Sequence, residues 1–206
     1  MDVMTDQTDS ILRQFVMLKS ANLGERLQVL ADGTIVLSDA QAWQTIYDQF
    51  MRSPDITKHW SVVWVRSADY WQDEAGQQSI AANFAAVRRG TMIHRLVIIA
   101  DHLWPKSDHL PHEPIRKWVE DQHNHGLWVG LVRESAVAHE SDLLADIGIY
   151  GNLAVGMQGL DEQSHTHRVV LSFDAAKVHD AKVHWDRLKP YAVSYFALLD
   201  QLETKE

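Results

Sequence analysis

The chain has 206 residues, enough for one core without covalent staples, and it has no cysteine, which excludes disulfides, thiolate metal sites and a cysteine nucleophile. Its formal charge of −9, with histidine neutral, disfavours nucleic acid, whose binders normally carry a basic excess. No basic-then-apolar opening and no apolar run near the ~20 residues of a membrane span is present, so a cytoplasmic protein with no membrane contact is expected.

Met1 to Thr8 is polar and expected to fray. Ile11, Leu12, Phe15, Val16 and Leu18 then recur at helical spacing, which predicts a helix over 9–20. Asp32-Gly33 is a turn signal between 26–30 and 34–37, which read as a hairpin. Ser38 and Gln41 fit a capping box for a helix with Trp43, Ile46, Tyr47 and Phe50 on one face, stopped at Ser53-Pro54.

The centre of the chain is the most regular part. The run 61–65 is apolar and β-prone. Residues 76–89 carry an apolar stripe of Ile80, Phe84 and Val87 beside small alanines, and Gly90 after Arg88 and Arg89 supplies the left-handed stop. The β-branched run 92–100 reads as a strand covered on both faces. Together they predict a right-handed parallel crossover. The loop 66–74 lies at a strand's carboxyl end, where open α/β sheets place ligands, and contributes Tyr70 and Trp71 as candidates. The histidine-, proline- and aspartate-rich loop 101–114 follows the next strand and contributes Trp104.

Pro114 starts a helix through Ile115, Trp118, Val119 and Gln122, ending at Gly126, and 127–132 is the next buried strand. The run 143–150 reads as a strand with Asp146 embedded in it, turning at Gly151-Asn152 into a partner at 153–157. A strand at 168–173, a helix capped by Asp174 and an apolar-faced segment over 191–202 complete the chain. There is no repeat and no linker, so 1–206 is expected to be one domain. The expected fold is α/β, with a mixed, largely parallel central sheet and helices on both faces.

This order resembles half of a phospholipase D-like domain. The matching features are a helix ending in Ala86-Val-Arg-Arg-Gly90, the strand 93–99, the helix 115–124 with its glycine turn, the strand 127–132 and the Asp-bearing hairpin 143–157. The resemblance spans roughly residues 26–200. That superfamily's signature is His-x-Lys-x4-Asp, in which the histidine attacks phosphorus and the lysine holds phosphate oxygens; this sequence lacks it. The nearest approach places His165 as nucleophile, with His167 in the lysine position and Ser172 in the aspartate position. A neutral imidazole replaces a fixed ammonium poorly at a phosphate. The resemblance therefore implies the fold without the chemistry: a sensing or regulatory module binding a small ligand or a protein partner. A half-domain of this kind implies a homodimer.

Twelve histidines would carry the formal charge from −9 to +3 if all were protonated, a swing centred near pH 6.5. His123 and His125 with His165 and His167, or Asp101, His102, His109 and His112, have the residue types of a metal site, which leaves a metal-dependent hydrolase as one alternative. A divergent phosphodiesterase using His165 and His167 is the other. No cofactor is implied, since no phosphate loop, dinucleotide fingerprint or nucleophile elbow occurs. Arg88, Arg89 and Arg95 could hold an anion, although helix capping suffices for the first two. Asp146 in an apolar strand requires a partner, and Arg95 or Arg168 on neighbouring strands is the expected one. The candidate ligand-binding residues are Arg95, Asp146, Tyr70, Trp71 and Trp104.

Overall fold

The structure is a computed structural model that describes residues 33–37, 40–160 and 166–203. The predicted helix over 9–20, the strand at 26–30, the Ser38 cap and His165 lie outside the described residues, as does the side chain of His167. In chain order the elements are β1 (Thr34–Leu37), α1 (Ala40–Arg52), β2 (Lys58–Val65), α2 (Glu74–Arg88), β3 (Met92–Ile99), α3 (Ile115–Asn124), β4 (Trp128–Arg133), β5 (Asp146–Tyr150), β6 (Ala154–Leu160), β7 (Thr166–Ser172), α4 (Ala175–Leu188), β8 (Val193–Ser194) and α5 (Tyr195–Glu203). Short 3-10 turns cover Glu134–Ala136, Ser141–Leu143 and Lys189–Tyr191.

The strands form one sheet in the order β1-β7-β6-β5-β2-β3-β4-β8. The crossover read from the central unit is present: β2, β3 and β4 are parallel, with α2 and α3 carrying the two returns. The sheet as a whole is not largely parallel. The pairs β1·β7, β7·β6, β6·β5, β5·β2 and β4·β8 are all antiparallel. For the β5·β6 pair the cause is connection length. Only residues 151–153 join β5 to β6, and a parallel return needs a dozen residues or more.

Helices lie on both faces. On one, α1, α2, α3 and α5 bury Trp43, Phe50, Ala86, Trp118, Val119 and Leu198 against the odd-numbered residues of β2, β3 and β4. On the other, α4 packs Val178, Ala181, Trp185 and Leu188 against Val62, Leu96, Ile98 and Val132. Because β3 is covered on both sides, Leu96, Val97, Ile98 and Ile99 are all fully buried, which is why that strand reads as an unbroken apolar run.

The local stops follow the sequence. Gly90 takes φ 96°, a left-handed conformation, directly after α2. Arg89 seals that helix end, its Nη1 donating to the carbonyl of Ala85 at 3.0 Å and its Nη2 to that of Met51. At the other end of α2, Asp73 Oδ1 accepts from the backbone N–H of Gly76 at 2.8 Å.

Candidate functional site

Alternation along β2 and β3 turns His59, Ser61 and Val63, and Ile93, Arg95 and Val97, toward the face with four helices. Ser61 and Arg95 are register partners. A guanidinium therefore rises from the middle of the sheet, only 6% exposed. Its Nε donates to Ser61 Oγ at 3.0 Å, and its Nη1 donates to Gln122 Oε1 on α3. Gln122 is fixed in turn, its Nε2 donating to the carbonyl of Trp118 at 3.1 Å. The Trp118 ring centroid is 5.8 Å from the guanidinium carbon. No carboxylate among the described residues pairs with Arg95. Tyr47 on α1 also stands within side-chain hydrogen-bonding reach of the guanidinium, and Arg95 lines the cavity above.

That cavity has a volume of about 220 Å³. Arg95, Ser61 and His59 form its floor, and Trp43, Tyr47, Trp71 and Trp118 stand around it. The partly exposed lining residues Tyr70, Asp73, Gly76, Ser79 and Gln158 place its mouth between the start of α2 and β6. Trp71 and Trp118 stack with centroids 4.6 Å apart, which fixes one wall. Gly76 permits the mouth: a Cβ there would lie 2.6 Å from the carbonyl oxygen of Trp71.

Two polar groups in the floor and wall are held neutral. Burial, reinforced by the Arg95 charge, pushes His59 down to about 3. Its Nδ1 donates to the carbonyl of Ile149 at 3.2 Å, which places the imidazole proton on that nitrogen. Tyr47, raised above the usual phenol range chiefly by burial, donates to Asn83 Oδ1 at 2.5 Å.

Asp146 sits at the edge of this group. It is 4% exposed, at the first position of β5. The Tyr70 hydroxyl donates to its Oδ1, and the Trp64 backbone N–H to its Oδ2 at 3.4 Å. Burial pushes the Asp146 carboxyl up to about 7, against the smaller opposing pull of the Tyr70 bond, the Trp64 bond and the charges of Arg66 and Arg95. The expected Arg95 or Arg168 ion pair is therefore corrected. Arg95 is engaged by Ser61 and Gln122, and Arg168 is exposed on β7, with β6 between it and β5. The direct bond to Asp146 Oδ1 comes instead from a tyrosine hydroxyl on the 66–73 loop.

Of the residues predicted from sequence, Arg95, Tyr70 and Trp71 line the cavity, and Asp146 joins it through Tyr70. Trp104 does not. Its ring lies under the Arg133 guanidinium at 3.9 Å, and its Nε1 donates to the carbonyl of Asp108 at 3.2 Å. Among the described residues no three histidine or acidic side chains converge as metal ligands. His125 stacks on Phe84 at 3.8 Å, His109 bonds the carbonyl of Leu198, and His112 bonds Asp108. Sequence reasoning missed Tyr47, His59, Ser61, Asn83 and Gln122 as site residues. Asn83 and Gln122 were visible as lone amides on otherwise apolar helix faces, and both are 1% exposed.

No protein-family model matches the chain, and no curated protein matches it. Among solved structures it is similar to Nuc, a phospholipase D family member from Salmonella typhimurium, with TM-score 0.55 and 13% identity over 79% of this chain and 98% of that one. It is also similar to NucT from Helicobacter pylori, with TM-score 0.51 and 10% identity over 79% of this chain and 97% of that one. A third neighbour is polyphosphate kinase from Porphyromonas gingivalis, with TM-score 0.52 and 14% identity, where 76% of this chain covers 26% of the enzyme. The fold is thus phospholipase D-like, a mixed α/β sheet with helices on both faces. Among the described residues no helix is long and apolar enough to cross a membrane.

Proposed function

We propose that this chain is a non-catalytic, regulatory ligand-binding module on a phospholipase D-like fold, and that its ligand is a small anion held by Arg95. One observation carries the reading: a buried guanidinium, fixed by Ser61 and Gln122, lines a cavity, and no carboxylate among the described residues pairs with it. A buried charge left without a counter-ion is costly, and an anionic ligand removes that cost. The absence of any His-x-Lys pair from the sequence favours binding over phosphoryl chemistry.

The test is calorimetric titration of the purified protein with acetate, benzoate, inorganic phosphate and phenyl phosphate, beside an Arg95→Gln variant. At least one anion binds the native protein and is lost in the variant. If no anion binds in an Arg95-dependent way, the reading fails. Hydrolysis of bis(p-nitrophenyl) phosphate that is abolished by His165→Ala would replace it with the hydrolase alternative. The module is further proposed to work as a pair of identical copies, as the half-domain resemblance implies. A monomeric mass in sedimentation at micromolar concentration would remove that part.

A further inference from the structure

We infer that the anion is a single carboxylate borne on an aromatic or similarly flat apolar body, and not a phosphate ester. This inference rests on the anion-binding reading and narrows it. The first ground is charge. Arg95 is the one lysine or arginine among the described lining residues. His59, beside it in the floor, is held neutral. The nearby acids are Asp73 at the mouth and Asp146 behind Tyr70. A phosphate monoester carries about −1.5 to −2 at neutral pH, so one guanidinium leaves it undercompensated in this setting.

The second ground is the donor set. Phosphate sites recruit free backbone N–H groups at a helix start. Here α2 does begin at the mouth, but Asp73 already occupies the N–H of Gly76 at 2.8 Å. The one charged donor is a side chain, that of Arg95. One fixed, charged donor suits the single charge of a carboxylate.

The third ground is volume and lining. A dry cavity of about 150 Å³ accommodates benzene. The 220 Å³ here adds room for one small polar group. Trp43, Tyr47, Trp71 and Trp118 offer ring faces and edges to a flat apolar body, while Gln44, Ser79 and Asn83 offer polar atoms for a substituent.

The test is a matched ligand series on the full chain, read by isothermal titration and by quenching of tryptophan emission: benzoate, benzyl alcohol, phenyl phosphate and inorganic phosphate. Benzoate should bind at least tenfold tighter than each of the other three. Arg95→Gln should lose at least tenfold of that affinity. Phenyl phosphate binding tighter than benzoate, and lost with Arg95, would overturn this inference and leave the anion reading standing. Benzyl alcohol matching benzoate would overturn it too. Absence of Arg95-dependent binding across the series would end both. The ligand comparison uses unmutated protein, so it decides the matter even if Arg95→Gln does not fold.

Discussion

Replacing Asp146 with asparagine should change the pH dependence of stability more than the stability itself. The carboxyl is 4% exposed and pushed up to about 7, chiefly by burial. In the unfolded chain it returns to an ordinary aspartate value near 4. Between those two values the folded protein holds a proton that the unfolded chain releases. Raising the pH therefore weakens folding by up to about 1.4 kcal/mol per unit, and the loss levels off above the folded value. Three units of separation give a penalty on the order of 4 kcal/mol in alkaline solution that is absent in acid. The asparagine side chain has the same shape and no such proton. Its Oδ1 can still accept from Tyr70, the principal bond of the native carboxylate. Urea denaturation of both proteins, at about pH 4.5 and about pH 8, isolates this group by difference. The Asp146→Asn variant should gain several kcal/mol relative to the native protein on going from acid to alkaline solution. A difference that stays constant across the range would mean that Asp146 is ionised throughout in the folded state, and the account of its burial would be wrong.

Three more expectations concern the cavity and the 101–114 loop outside it. His59, held down to about 3 by burial and Arg95, titrates in the opposite sense. The unfolded chain protonates it below its ordinary 6.5 while the folded protein does not, so its contribution falls as pH drops toward 3. His59→Gln should thus lose less stability on acidification than the native protein, read by the same urea melts. Gly76→Ala places a Cβ at 2.6 Å from the Trp71 carbonyl and should cost about 1–3 kcal/mol in thermal unfolding while narrowing the cavity mouth. Arg133 donates from Nη1 to the carbonyls of Trp104 and Pro105 at 2.5 and 2.7 Å, and from Nη2 to that of Asp108 at 2.7 Å. Arg133→Ala should accelerate amide exchange across 101–114 and leave Arg95-dependent binding unchanged; a parallel loss of binding would tie that loop to the site after all.

The crossover was legible because each of its parts carries a local signal. The β-branched run of β3 reports burial on both faces, and Gly90 reports a left-handed stop. The direction of β6 against β5 was equally available in the three residues between them, whose brevity dictates an antiparallel return. The site was half legible. Arg95 and Asp146 are conspicuous as charges inside apolar strands, and that alone marks them. Their partners are not local. Gln122 reaches Arg95 from 27 positions away, and Tyr70 reaches Asp146 from 76. Pairing the two charges with each other was the economical reading of the sequence. It failed because the sheet register set Ser61 beside Arg95, and the 66–73 loop delivered a phenol to Asp146 first.

Tyr150 lies along its own strand above Gly148, between Phe50 at 4.5 Å and His59 at 4.8 Å, and its hydroxyl is 2.8 Å from where a Cβ on Gly148 would stand. Positions 148 and 150 are thereby bound into a single unit of sequence change. A methyl at 148 has no room while the phenol is there, and a smaller residue at 150 would create the room only by leaving a void between the other two rings. Drift along this strand must therefore proceed in coordinated pairs, with Gly148→Ala tolerated only on a background that has already exchanged Tyr150.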